Sequence, residues 1–292
     1  MNNVYRLINS AFLLIAFSSL SFEAYAVDSV KRLKPILSYD KRAKHKDEVI
    51  RSALEASVPK FGQYEFVEVN VDMTTGRALQ EIHNGDLINI FIAPASPEWE
   101  SKSIAIKTPI RQGLLSYRLL VTLEEHLPLF ANIKTLEQLS RLSAGLQHSW
   151  VTDDVYKIHN LNVVYGNEFE GLFLMLKKKR FHYIPRAVYE AYDELKQRRS
   201  LIPNAVIEPN IALYIPMATY IYVSRNAPQI ATRINHGLQE ITRNGQLKAI
   251  FDRYYAEDVK RARLHERTII RIDNPNFNEN DIINKALLHT IN

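Results

Sequence analysis

Apolar positions along the chain follow two alternating periods. Leu33 to Tyr39 (LKPILSY) reads as a strand. From His45 to Val58 the residues Val49, Ile50, Ala53, Leu54 and Val58 fall on one helical face. Tyr64 to Val71 alternates like a half-buried strand. Thr74 to His83 returns to helical spacing, and Asn84-Gly85 supplies a stop. Leu87 to Ala93 (LINIFIA) is a nearly continuous apolar run, as in a strand buried on both faces. The order β-α-β-α-β predicts a parallel sheet with helices on its faces.

A second series follows. Strands are predicted at Tyr117 to Thr122, Leu142 to Gln147, Asn162 to Tyr165 and Arg180 to Ile184. Between and after them come helices at Thr135 to Arg141, Thr152 to Leu161, Glu168 to Lys179 and Ala187 to Arg198. Ser149 or Thr152 would cap the second of these, and three lysines suit the C-terminus of the third. Val206 to Tyr214 and Tyr220 to Ser224 then read as strands, Gln229 to Asn244 as an amphipathic helix stopped by Gly245, and Leu247 to Tyr255 as one more helix. The tail, Arg267 to Asn292, holds a short strand (TIIRI) and an apolar final helix. Two α/β series and a return segment predict two lobes with two crossings, near Ser116 to Arg118 and near Tyr214 to Met217. The expected lobes are residues 27–116 with 217–292, and residues 117–216.

Residues 1–26 stand apart. One cation, Arg6, precedes the apolar run AFLLIAF of residues 11–17, which extends to Phe22 and is followed by Ala24-Tyr25-Ala26. This is the length of a signal-peptide core, too short to span a bilayer, with a small-x-small cleavage pattern. A buried N-terminal helix fits less well, because the run is apolar on all sides and the charged start VDSVKRLK follows it. The expectation is export to the periplasm with cleavage after Ala26.

The chain has 292 residues, 46% hydrophobic and 24% charged, enough for a full core. It has no cysteine, which excludes disulfides, thiolate catalysis, Cys-based zinc sites and a lipoprotein anchor. The formal charge of +5 raises the question of nucleic acid. The basic runs Lys31 to Lys46, Lys177 to Arg180 and Lys260 to Arg271 lie in different parts of the chain, interleaved with acids or beside apolar segments. They read as solvated helix ends, so no nucleic-acid partner is expected. The nine histidines form no metal-binding spacing, and there is no Gly-rich phosphate loop and no GxSxG. No metal, cofactor or catalytic residue is expected.

Several stretches together carry a family resemblance: LINIFIAP with TPIRQGLLSYRLLVT after it, IKTLEQLSRLSAGLQHSWVTDD, FEGLFLMLKKKRFHYIPRAVYEAYDEL, and the closing block YIYVSRNAPQIATRINHGLQEITRNGQLKAIFDRYY. This run resembles the type II periplasmic solute-binding proteins, solute-binding protein family 3 in particular, over most of residues 33–255. The resemblance implies an α/β fold of two lobes that close around a small polar solute, for an ABC importer or a membrane sensor, in a monomer. It also implies an arginine past the third strand for an amino acid's carboxylate and an aspartate at a second-lobe strand end for its amine. Here APASPEWESKS holds no arginine, and the strand RFHYIP runs into Arg186. An ordinary amino acid is therefore not the expected ligand, and Arg186 in the place of an acid points to an anionic group.

The candidate ligand contacts follow. Tyr39 and Asp40 end the expected first strand, where contacts in the family begin. His148, Ser149 and Trp150 precede a helix, whose free N–H groups suit an anion, and Trp offers a stacking face. Arg186 offers a two-bond grip, set against a plain salt bridge to Glu190. Arg118, with Arg111, lies near the first crossing. Glu168 and Phe169 open a further helix, where the dipole alone already accounts for Glu168. Two other functions compete with solute binding. One is a dehydratase-like periplasmic enzyme on the same fold, using His148 or Glu168 for proton transfer. The other is a ligand-free interaction protein.

Overall fold

The computed structural model describes residues 27–34 and 41–278. The expected signal segment, the candidates Tyr39 and Asp40, and the expected final helix lie outside the described residues. Strand β1 (Asp28–Leu33) was not expected, and the strand expected over residues 33–39 lies almost wholly outside the described residues. Helix α1 (Lys41–Phe61) leads to β2 (Tyr64–Val69), which pairs with β1 in parallel, Asp28 opposite Tyr64. Helix α2 (Thr75–Asn84) begins where Thr74 accepts the N–H of Arg77 and ends at Gly85, whose positive φ of 81° lets its N–H reach the Glu81 carbonyl.

Strand β3 (Ile90–Pro94), helix α3 (Pro97–Lys102) and strand β4 (Ile104–Ile106) come next. The last two were not legible as elements: α3 is short, and β4 holds three residues. The returning strand β10 (Thr219–Val223) lies between β3 and β4, antiparallel to both. Asn89 ties this sheet to the first: its side chain accepts from the Lys31 N–H and donates to the Ser29 carbonyl, each at 2.8 Å.

The other sheet has six strands. Strand β5 (Tyr117–Leu123) leads by way of α4 (Leu127–Phe130) and α5 (Leu136–Leu139) to β6 (Ala144–Leu146). Then come α6 (Val151–Ile158), β7 (Val163–Tyr165), α7 (Phe169–Lys177), β8 (Tyr183–Ala187), α8 (Val188–Gln197) and β9 (Ala205–Tyr214). Beyond β10 follow α9 (Pro228–Arg243), α10 (Gln246–Ala262) and β11 (Thr268–Arg271). The sheet order is β11-β9-β5-β8-β6-β7, with β5 antiparallel to both its neighbours and the remaining pairs parallel. No helix among the described residues is long and apolar enough to cross a membrane.

The tail departs from expectation. Residues after 217 were assigned to the first lobe, yet β11 pairs with β9 in the six-stranded sheet. Strand β9 takes β11 on the edge opposite β5, and its register against β5 shifts between Leu119 and Val121. The displaced stretch contains Pro209, and the Glu208 carboxylate accepts the N–H groups of Asn210 and Ile211 that the shift leaves over. Past this bulge β11 pairs with Ile211 to Tyr214. Helix α10 bridges the cores accordingly. Leu247 and Ile250 pack with Val49, Leu54 and Ile234, whereas Phe251, Tyr255 and Ala262 pack with Leu119, Phe173 and Ile184.

Two further contacts fix the frame. Ser116 joins the β4–β5 connection to the β9–β10 connection: its hydroxyl donates to the Met217 carbonyl at 2.9 Å and accepts the Met217 N–H at 3.1 Å. Arg233 of α9, fully buried, closes the C-terminal end of α1 by donating to the carbonyls of Phe61 and Gly62 and to Asp28. Helices α1 and α9 touch backbone to backbone at Gly237, where a Cβ would lie 1.7 Å from the Ala53 carbonyl oxygen. Gly237→Ala should therefore lower stability by about 1–3 kcal/mol through overpacking, although alanine is the better helix former. A urea melt measures this, and an unchanged or higher midpoint would show that the helices can part freely.

Candidate functional site

Strand β8 carries Arg186 and runs directly into α8, which carries Tyr189, Glu190 and Glu194. The expected strand ended before Pro185. Instead Pro185 sits within β8, opposite Leu120 of β5. Strand β6 pairs with β8 only at Tyr183, so the missing N–H of Pro185 interrupts no ladder on that side. Arg186 is thus a strand residue opposite Leu119, not a residue just past the strand.

The Arg186 guanidinium is buried. Its Nε and Nη2 donate to the two carboxylate oxygens of Glu194, each at 2.6 Å, and Nη2 lies 3.0 Å from Glu190. The rings of Trp150 and Phe169 cover it at 4.5 and 5.0 Å. Burial works against its charge, but Glu190 and Glu194 outweigh burial and hold its pKa above the ordinary arginine value. The two-bond grip expected for a solute is made to Glu194.

Glu190 is where three guanidiniums meet. Its carboxylate lies 3.0 Å from Arg186, 3.7 Å from Arg42 and 3.9 Å from Arg118. It also accepts the Ala187 N–H at 3.1 Å, at the start of α8. Burial raises its pKa, yet Arg186, Arg118 and Arg42 prevail and keep it below the usual carboxylate range. Arg42 reaches Glu194 as well, at 3.4 Å, and Lys41 binds Asp193 at 2.8 Å and Asp258 at 2.6 Å. Helix α1 therefore starts on two cations, against its own dipole, and carboxylates of α8 and α10 hold them there.

Two more arginines complete the cluster, both buried. Arg111 donates to the hydroxyls of Tyr255, Tyr189 and Thr219 at 3.2–3.3 Å and stacks on the Tyr189 ring at 4.6 Å. No carboxylate among the described residues lies within ion-pair distance of it; burial works against its charge, but Tyr189, Tyr255 and the more distant Glu190 hold its pKa above the ordinary arginine value. Arg118 of β5 meets the Met217 sulfur at 3.1 Å and Glu190 only at 3.9 Å, and its Nε has no hydrogen-bond partner. Burial lowers its pKa, and Glu190 compensates only in part. A guanidinium keeps its charge even so. Beside Arg111, His45 of α1 lies fully buried against Tyr254 and Tyr255, at 5.7 and 4.8 Å. Neither of its ring nitrogens has a partner of good geometry. Burial, then Arg111 and Lys46, push its pKa down to about 2, which the Ile110 backbone only partly offsets.

The remaining candidates separate. Trp150 joins the cluster as a lid on Arg186, and Phe169 lies over both Arg186 and Arg198. His148, its side chain 65% exposed, stacks on Tyr165 at 3.8 Å and faces Asp153. Ser149 is exposed, and neither it nor Thr152 caps α6: the N-cap is Trp150, without a side-chain bond, and Asp153 and Asp154 serve the helix dipole. Glu168 is the exposed N-cap of α7, far simpler than a proton donor in a cleft. Where the resemblance implied an arginine, Trp99 of α3 stacks on Phe91 and Tyr222 at about 5 Å. The basic run near the end of α10 lines a separate concavity of about 480 Å³ with Lys260, Arg261, Arg263 and Arg267. Arg267 there binds backbone carbonyls, Arg263 pairs with Glu266 and Arg261 stacks on Tyr192, so the run is accounted for locally. Among the described residues no cluster of three or more His, Asp or Glu side chains is placed to hold a metal.

Solved structures share this architecture. The chain has the fold of two-lobed periplasmic binding proteins. A probable amino-acid ABC transporter extracellular-binding protein of Bacillus subtilis superposes with a TM-score of 0.58 at 17% identity, over 80% of this chain and 100% of that one. An arginine-specific periplasmic binding protein of Salmonella typhimurium gives 0.53 at 14%, over 78% and 100%. The GluR0 ligand-binding core of Nostoc punctiforme, in complex with L-glutamate, gives 0.52 at 14%, over 78% and 98%. No protein-family model matches the chain, and no curated protein matches it. One of these neighbours is specific for arginine and another holds glutamate, so the fold leaves the sign of a ligand to the side chains in the cleft.

Two outcomes test the cluster. Glu194→Ala leaves Arg186 buried without its fork and should lower stability by about 3–5 kcal/mol, whereas Arg186→Met with Glu194→Leu should lose much less. Denaturant melts of both decide it, and equal losses would mean that Arg186 never relied on Glu194. His45 gives a pH signature. The unfolded chain takes a proton near pH 6.5, which the folded chain refuses until about 2. Its contribution is whole above pH 6.5 and is lost as the pH falls below it, by up to about 1.4 kcal/mol per unit. Melts of His45→Phe at pH 7.5, 6.0 and 4.5 should show a correspondingly shallower acid slope; an unchanged slope excludes this role.

Proposed function

We propose that the protein is an exported solute-binding protein that captures a small polar solute bearing an anionic group and presents it to a membrane partner, an ABC-type importer or a sensor. The observation that carries the reading is the pair Arg111 and Arg118. Both are buried, one is bound only by hydroxyls, and the other keeps an orphaned Nε. Removing one partner of a buried charge pair typically costs about 3–5 kcal/mol, so a buried cation held as loosely as Arg118, 3.9 Å from its carboxylate and with an unmet Nε, is a standing expense that needs a reason. An anionic group entering between the sheets supplies the missing acceptors. The three structural neighbours described above, two binding proteins and a ligand-binding core, support a binding role over a catalytic one.

In this reading residues 27–116 and the segment returning at 217 form one lobe and residues 117–216 the other, with α10 bridging the two and β11 seated on the second. A solute touching both lobes stabilises the closed form by its contacts with each. The protein works as a monomer in the periplasm, and a mature terminus at Val27, read by terminal sequencing of the periplasmic fraction, tests the export step.

A thermal-shift screen tests the ligand class. Carboxylates and inorganic phosphate are compared with amines and neutral sugars. An anionic solute at a hundred times its Kd should add about 2.7 kcal/mol of apparent stability, and Arg118→Ala should remove that gain. Stabilisation by amines or sugars alone would refute the anionic reading, and silence across the whole screen would refute solute binding.

A further inference from the structure

We propose that Glu190 is an internal anion occupying the solute's seat between Arg186, Arg118 and Arg42, and that an anionic solute binds by displacing it. The inference rests on the solute-binding reading above. Three guanidiniums from three separate elements, α1, β5 and β8, converge on this one carboxylate. Yet Arg186 would keep a carboxylate partner without it, because Glu194 already fills the guanidinium fork with two bonds of 2.6 Å.

The contacts of Glu190 with the other two arginines are loose. At 3.7 and 3.9 Å they are ion pairs without hydrogen bonds, and the Nε of Arg118 is left unused. A side chain tethered to α8 cannot reach all three cations at bonding distance. A free carboxylate or phosphate, with its own choice of position, can. What anchors Glu190 is the N–H of Ala187, at the first turn of the ten-residue helix α8. The backbone and the helix dipole favour an anion at that point whichever molecule supplies it. Arg42, partly exposed, gives the displaced carboxylate a cation to follow toward solvent. Glu190 thus sets the ligand class. Only a solute that replaces a carboxylate's charge and at least two of its oxygens can take the seat, so neutral and cationic solutes are turned away.

The alternative is that Glu190 merely balances charge and caps α8. Glu190→Gln separates the two, because the amide oxygen still accepts the Ala187 N–H while the competing charge is gone. Inorganic phosphate, acetate, succinate and L-glutamate serve as probes, by calorimetry and thermal shift, on wild type, Glu190→Gln and Glu194→Gln. The expected result is that Glu190→Gln binds at least one probe about tenfold more tightly than the wild type, as removal of an internal competitor requires, and that Glu194→Gln shows no such gain. If Glu190→Gln unfolds on its own, the same probes at millimolar concentration should restore its folded state while barely shifting the wild type. Equal or weaker binding by Glu190→Gln, or failure of every probe to restore it, overturns the proposal. A wild type that binds a neutral or cationic solute while Glu190→Gln gains nothing for anions overturns this inference and leaves solute binding standing. If neither protein responds to any probe, amine or sugar, the solute-binding reading falls as well.

Discussion

A guanidinium cannot shed its charge on burial, and much of this molecule is arranged around that fact. Arg233 is closed off completely: carbonyls at the end of α1 and the Asp28 carboxylate take its donors. Arg186 is matched by the fork of Glu194. Arg111 makes do with hydroxyls, and Arg118 is left short. The contrast is informative because one chain contains both outcomes. Where the arginine holds helices together, every donor is met. Where it lies between the two sheets, donors are left over. Helix α1 links the two situations, with Arg233 at its C-terminal end and Lys41 and Arg42 at its start reaching the acids of α8 and α10.

The aromatic rings around this charge cluster matter as much as the charges. Trp150 and Phe169 cover Arg186, Phe169 and Phe173 cover Arg198, and Tyr189 covers Arg111. Such covers exclude water, which strengthens every pairing beneath them and raises the penalty for any pairing left unmade. An aromatic lid also attracts the cation it covers through its ring quadrupole. The cluster is therefore covered on the side of the six-stranded sheet and partly open on the side of α1, where Arg42 is partly exposed.

Much of the architecture was legible from periodicity. Helices α2 and α9 are found within a residue or two of their sequence signals, because Thr74, Gly85 and Gly245 act locally and leave a local trace. Strand β8 was not, because Pro185 reads as a stop unless one knows that β6 leaves that edge unpaired. The antiparallel course of β5 and β10 and the seat of β11 depend on partners far away in the chain, which no window of residues contains. The cluster was half visible. Arg186, Arg118 and Trp150 were singled out, and Glu190 was noticed only as a neighbour. Glu194 continues the spacing of four from Arg186 and Glu190, a signal that was there to be read. The approach of Arg42 and Lys41 has no counterpart in local sequence, since more than 140 residues separate Arg42 from Glu194. His148 and Ser149 were drawn in by their position before a helix, but that loop faces Tyr165 and solvent.

Ser116 gives the molecule a mechanical property. The same hydroxyl donates to the Met217 carbonyl and accepts the Met217 N–H, so the outgoing and returning connections are clipped together at a single point. Two separate tethers would let one sheet swivel over the other. Two tethers clipped side by side, with α10 spanning the same gap as a third crossing, resist torsion. Any displacement of one sheet against the other then strains this clip, the cores that α10 joins, and the ion pairs that Lys41 and Arg42 of α1 make with α8 and α10.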